Sequence, residues 1–258
     1  MNSATAIPSA GPAATPVVSG KGTPTGSPGV AALNAAQARA MLSRDDALFM
    51  RVHDFHARPA DYIHPSHLGA LVPEAALGLI TATARGRNIL SQWILQNLGM
   101  QGQPWISFEQ PATRLALLPA PVLRRAVTLA GASVCSRQIA RIISRADLND
   151  LKEKIGEDAR VFAIKTAPIM LGAPPSVGPV TPQDESIAAL VMATGWRMLE
   201  LAFSGEPLML TQRLRLKFDA SLPLDFAPVP LAEKAKAGSY LTRIVTRELA
   251  PDWAPCFV

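Results

Sequence analysis

Cysteine is nearly absent: Cys135 and Cys256 are the only two in 258 residues, too few and too far apart for a disulfide framework or a CxxC pair. That usage fits a reducing compartment. Aromatics are scarce at 5%, which disfavours a sandwich or barrel, while the abundant Leu and Ala favour helices. Charged residues reach only 17%, and the net charge of +5 comes without a Lys/Arg-rich run. An acidic partner is therefore permitted, but the footprint of a nucleic-acid binder is missing. The longest apolar stretch, IAALVMATGWRMLELAF at 187–203, carries Arg197 and Glu200 and falls short of the roughly 20 apolar residues of a membrane span. It reads as a buried core helix. The amino-terminal MNSATAIPSAGPAATP has neither the charged nor the apolar region of an export signal, so a soluble, non-exported protein is expected.

Catalytic patterns are missing too. There is no G-x-S-x-G, no H-E-x-x-H, no G-x-x-x-x-G-K-[ST], and no G-x-G-x-x-G after a strand. No paired-carboxylate site stands out, and Cys135, in GASVCSRQIA, reads as a buried structural cysteine. No cofactor is expected.

Hydrophobic residues at 48% suffice for a sizeable core, and 23 prolines cut the chain into short elements. Residues 1–32, almost all Ala, Pro, Gly, Ser, Thr and Val with Lys21 as the sole charge, read as a disordered tail. Residues 33–258 read as one multi-helix domain, mainly α, with room for a small β element. Helical spacing runs from Asn34 to about Phe55, then over 74–98 with Gly86 as a break and Gly99 as a stop. A tight series of short helices fills 112–171: Pro121 starts one, Ile139, Ile142 and Ile143 oppose three arginines on the next, Ser144 caps a third that Gly156 stops, and the last ends near Pro168. Thr181-Pro182 opens the apolar helix through Phe203. LTQRLRLKF at 210–218 alternates basic and apolar residues, the period of a half-buried strand, with a helix as the alternative. A final helix spans about 231–249 with Arg243 and Arg247 facing water, and Asp252–Val258 forms a loose tail.

Two groups carry chemistry worth weighing. All four histidines lie in VHDFHARPADYIHPSHL at 52–68, spaced H-x2-H-x7-H-x2-H. His53 and His56 can share a helix face. A zinc site of four histidines without cysteine or carboxylate would be unusual, and only Asp54 and Asp61 offer second-shell support. Arg137, Arg141 and Arg145 recur every four residues, preceded by Arg124 and Arg125. A solvated helix face and a dock for an acidic protein surface both fit that stripe. RNA or single-strand binding would call for stacking aromatics, which this region lacks.

In order, these segments resemble the SctK/YscK family, the accessory protein of the type III secretion cytoplasmic sorting platform. FHARPADYIHPSHL looks like the family's F-x-x-x-P-x-x-Y-[IL]-H signature, with Phe55, Pro59, Tyr62, Ile63 and His64 at the corresponding places. The likeness continues through TRLALLPAPVLRRAVTLAGASVCSRQIARIISRADLNDLKEKIGEDARVFAIKTAPIMLG and ends with ESIAALVMATGWRMLELAF followed by LTQRLRLKF, covering about 45–220, weakly in 70–110 and beyond 220. His53, His56 and His67 match no family pattern, and the tail departs from shorter relatives. The resemblance implies a non-catalytic cytoplasmic adaptor between the inner-membrane ring protein SctD and the pod protein SctQ, reaching SctL and the ATPase indirectly. It implies no nucleic acid and no membrane insertion. Arg137, Arg141 and Arg145 are the candidate docking residues, and Phe55, Pro59, Tyr62 and His64 the candidate structural motif. A histidine-dependent metalloenzyme and a basic helical nucleic-acid binder are the alternatives.

Overall fold

The structure, a computed structural model, describes residues 32–33, 46–69, 72, 74–180, 182 and 186–257. The tail expected over 1–32 and the start of the helix expected from Asn34 lie outside the described residues, Ala32–Leu33 excepted. The described chain is mainly α-helical. Its helices are α1 (Asp46–Ala57), α2 (Glu74–Thr81), α3 (Ala84–Asn97), α4 (Ala120–Val134), α5 (Ser136–Ala140), α6 (Arg145–Ile155), α7 (Glu157–Val161), α8 (Ala167–Met170), α9 (Ile187–Ala202), α10 (Leu208–Arg215) and α11 (Leu231–Ile244). The β element is a two-residue antiparallel contact, β1 (Ala32–Leu33) with β2 (Trp105–Ile106), pairing Ala32 with Ile106 and Leu33 with Trp105.

Two apolar residue patterns build the centre. On α4, Leu123, Ala126, Val127 and Ala130 are fully buried, and on α9 so are Val191, Met198 and Leu199. The two helices meet backbone to backbone, because each places a glycine at the crossing. A Cβ on Gly131 would lie 2.0 Å from the Val191 carbonyl oxygen, and one on Gly195 would lie 2.2 Å from that of Val127. Helix α11 packs over this pair, and its Tyr240 hydroxyl bonds Ser133 Oγ at 2.9 Å. A smaller core of Leu68, Leu90, Ile94, Met100 and Leu216 lies under the α2–α3 hairpin.

Local stop and start signals act where expected. Gly99 takes φ +62°, and the Met100 and Gly99 amides bond the Leu95 and Gln96 carbonyls, closing α3 with a Schellman turn. Ser144 Oγ accepts the Asp147 amide at the start of α6, and Gly156 at φ +90° ends it.

Other elements differ from expectation. The break in 74–98 falls at Ala82–Thr83, where Thr83 caps α3 through the Gly86 amide; Gly86 sits in its first turn, with no room for a Cβ beside the Ile80 carbonyl. LTQRLRLKF is helix and turn rather than strand: an alternating pattern also repeats every four residues, so Arg213 and Lys217 stack one turn apart and both are buried. Helix α9 begins at Ile187 under a Ser186 cap, later than Thr181-Pro182. The run at 157–170 passes Pro168 because Ala167 bonds the Phe162 carbonyl five residues back and Pro168 then opens a fresh short helix. Helix α5 ends at Ala140, leaving Ile143 98% exposed instead of inward. Arg243 and Arg247 do not simply face water: they donate to the Leu171 and Met170 carbonyls at the end of α8. The loose tail is a 3-10 turn, Pro251–Phe257, with Cys256 and Phe257 buried, Trp253 beneath the Arg51 guanidinium, and the Cys256 carbonyl held by Arg114.

The glycine crossing yields a direct test. Gly131→Ala drives a methyl into a helix backbone that cannot rotate aside, so it should cost at least about 2 kcal/mol. Gly78→Ala, at an exposed position of α2 with open space around it, should be neutral or stabilise by up to about 1 kcal/mol. Urea unfolding of both variants beside the parent checks the contrast; equal effects would contradict the close crossing.

Candidate functional site

Helix α1 ends because Pro59 disfavours helical backbone at Arg58, which sits at φ −127° and ψ 55°. The chain then makes two proline-led 3-10 turns, Pro59–Asp61 and Pro65–His67. Between them Tyr62 folds back: its ring stacks on Phe55 at 5.5 Å between centroids, and its hydroxyl donates to the Phe55 carbonyl at 2.8 Å. That carbonyl lies in the last turn of α1, where no helical amide remains to meet it. Phe55 and Pro59 are buried, and burial pushes the Tyr62 hydroxyl well above its ordinary range.

The turn docks on the carboxyl end of α10, the other segment singled out by its alternation. The His64 amide donates to the Leu216 carbonyl at 2.6 Å, and His67 Nε2 donates to the Phe218 and Arg215 carbonyls at 2.9 and 3.3 Å. Ser66 Oγ accepts the Ala220 amide at 2.9 Å. Each motif group thus meets a backbone group left open where α10 stops. Tyr62 packs against both cores, so the turn joins the α2–α3 hairpin to the main body.

Two buried cations lie beneath it. Lys217, 2% exposed, donates to the Leu118 carbonyl at 2.6 Å, with its ammonium 5.1 Å from the Tyr62 ring centre and 5.4 Å from that of Phe55. Burial brings its pKa down to about 7. Arg213, also 2% exposed, donates to the Gln103 side-chain oxygen at 2.7 Å and to the Met209 and Met100 carbonyls. Their i, i+4 spacing was the available signal; reading the segment as a strand hid it.

The four imidazoles go to different partners. His56 is buried against Phe55 and Phe108, and its Nε2 accepts the Ile106 amide at 3.2 Å. Burial first, then nearby Arg213 and His53, lowers its pKa to about 3. His53 faces Asp54 at 3.4 Å, while His64 Nδ1 contacts Ser66 and lies 4.0 Å from Asp219. Among the described residues no group of three or more His, Cys, Asp or Glu side chains gathers to hold a metal.

The arginines divide. Arg137 and Arg141, both exposed, line one hollow of about 550 Å³ beside Pro174. Arg145 lies beyond the α5–α6 turn, in the first turn of α6, so the three do not form a stripe on one helix. Among the described residues none of the three guanidiniums makes a hydrogen bond or ion pair. Arg125 is engaged, donating to the Ile155 carbonyl and pairing with Asp158, whereas Arg124 is exposed and has no ion pair among the described residues.

A family model for YOP proteins translocation protein K (YscK) matches residues 49–255. A similar solved structure is the cytoplasmic domain of the T3SS sorting platform protein PscK from P. aeruginosa, 20% identical, with a TM-score of 0.49 and coverage of 76% of this chain and 93% of that chain. No curated protein matches. The fold and site define a mainly helical protein whose singled-out histidine segment closes helix ends and whose free arginines sit on its surface. The chain belongs to the YscK family, and the match runs through to residue 255, past 220, where the sequence resemblance is weak.

Buried Lys217 and His56 give opposite ends of one pH profile. In the unfolded chain Lys217 ionises near 10.5, against about 7 when folded, so the unfolded chain holds the extra proton between those values. Stability should therefore rise from pH 7 upward, by at most about 1.4 kcal/mol per pH unit. His56 stays neutral down to about 3 while the unfolded chain protonates near 6.5, so its contribution is complete above pH 6.5 and is lost as acidity approaches pH 3. Urea unfolding from pH 4 to 8.5 should show the alkaline rise flattened in Lys217→Met and the acid fall flattened in His56→Gln. An unchanged slope in either variant refutes the corresponding assignment.

Proposed function

We propose that this chain is a non-catalytic adaptor of a type III secretion sorting platform. It links an SctD-like cytoplasmic ring domain to SctQ-like pods and reaches SctL and the ATPase only indirectly. It works in the bacterial cytoplasm at the inner-membrane face of the injectisome. The observation that carries this reading is the YscK family match over residues 49–255, four-fifths of the chain. Among the described residues no helix is long and apolar enough to cross a membrane, which is compatible with that location.

The hollow beside α5 is the proposed docking face. Free exposed guanidiniums are unusual in a protein that ties most of its arginines to carbonyls or carboxylates, and Arg is favoured at protein interfaces. Ile143, 98% exposed two residues beyond Arg141, adds an apolar contact without a partner of its own. Arg145 opens α6 four residues after Arg141, where a cation opposes the helix dipole.

The test is recovery of partners from the native bacterium. The tagged parent should bring down SctQ-like and SctD-like proteins after gentle lysis. Arg137→Glu/Arg141→Glu/Arg145→Glu should lose one of them by tenfold or more, with helical circular dichroism unchanged, because all three side chains are free. Absence of both proteins from the parent recovery would sink the adaptor reading; full recovery with the triple variant would sink only the docking face.

A further inference from the structure

A second groove, of about 500 Å³, runs between the Tyr62–Pro65 turn and the first half of α4. Its walls combine apolar surface from Ile63, Pro65 and Pro121 with cationic or titratable side chains from His64, Arg124 and Lys217. No carboxylate lines it. Two carboxylates lie nearby, each with a basic neighbour at the edge: Asp158 pairs with Arg125, and Asp219 lies 4.0 Å from His64 Nδ1. Arg124 is left as the uncompensated guanidinium at the mouth, exposed and without hydrogen bond or ion pair among the described residues. Lys217 closes the floor, held by the Leu118 carbonyl.

We propose that this groove is a docking site for an acidic peptide segment of a partner protein, with a carboxylate forked onto Arg124 and apolar flank against Ile63, Pro65 and Pro121. The proposal rests on the adaptor reading in one respect: a link between two proteins needs a second face, and this one is lined by different residues from the Arg137–Arg141 hollow. A planar guanidinium offers two parallel donors to one carboxylate. The charge complementarity is one-sided, since every charged side chain lining the groove is a cation. Nucleic acid fits less well, because Tyr62 is the single aromatic ring lining the groove and one of its faces is already stacked on Phe55.

The experiment is methyl-detected NMR of the full chain, titrated with the peptide acetyl-Glu-Leu-Glu-Pro-Glu-amide. The Ile63 methyl should shift in a saturable way, with affinity about tenfold weaker in Arg124→Glu, the size of one lost charge-assisted contact. Arg124→Gln, which keeps the exposed position polar, should fall between. Arg137→Glu/Arg141→Glu should leave the titration unchanged, so failure of the other docking face and failure of this one are separable. The proposal is overturned if the Ile63 methyl does not move, or if a peptide with Lys in place of each Glu produces the same shift. It is equally overturned if inorganic phosphate or oligo-dT displaces the peptide at matched charge, which would mean non-specific anion attraction, or if Arg137→Glu/Arg141→Glu abolishes the shift.

Discussion

The contact between α4 and α9 at Gly131 and Gly195 is the constraint on which the rest of the structure depends. Backbone approaching backbone at that distance leaves no play: each helix seats in the notch the other leaves. Cys135 Sγ to Thr194 Oγ1 at 3.6 Å and Tyr240 to Ser133 extend the same contact to the end of α4 and across to α11. Both proposed docking faces hang from α4. Arg124 projects from its first turns, and Arg137 and Arg141 follow its last residue after Cys135. Their separation is therefore set by the length of one helix that the glycine crossing holds in place, which is what a linker between two partners requires.

The positive charge of this chain has an unexpected use. Many of the long cations close backbone gaps: Arg87 to the Thr81 carbonyl, Arg114 to Phe108 and Cys256, Arg125 to Ile155, Arg215 to Leu224, Arg243 to Leu171, Arg247 to Met170, and Lys217 to Leu118. Many short helices have many carboxyl ends, each with carbonyls that no helical amide can reach. Cations there satisfy hydrogen bonding and the helix dipole together. A net charge of +5 is thus a poor guide to partners in such a fold; the few arginines left without this task are the informative ones.

What was legible in the sequence was local. Gly99 and Gly156 as stops, Ser144 as a cap and Pro121 at a helix start rest on interactions within a turn or two, and the chain itself carries them. The mainly helical fold followed from the same signals repeated. What escaped depends on distant partners. LTQRLRLKF satisfies a period of two and a period of four alike, and only the half-buried Gln103 and buried Leu118 acceptors decide for a helix with its cations inward. Asp252–Val258 looked loose because Arg114 and Arg51, which hold it, lie well over a hundred residues earlier. The three arginines at 137–145 do not share one helix because Ala140 ends α5, although Arg137 and Arg141 line the same hollow.

The histidine segment shows how exacting a structural joint can be. Phe55, Tyr62, His64 and His67 converge on two helix ends, those of α1 and α10. The requirement is as exacting as a binding site's. A ring must stack, a hydroxyl must reach back seven residues, and an imidazole must span to a carbonyl 151 positions away. The result is a joint, because Tyr62 packs on both the main core and the smaller one under α2 and α3. The second groove opens at that joint. Whatever occupies it presses on the turn from one side and on α4 from the other, so occupancy bears directly on how the α2–α3 hairpin is held against the body.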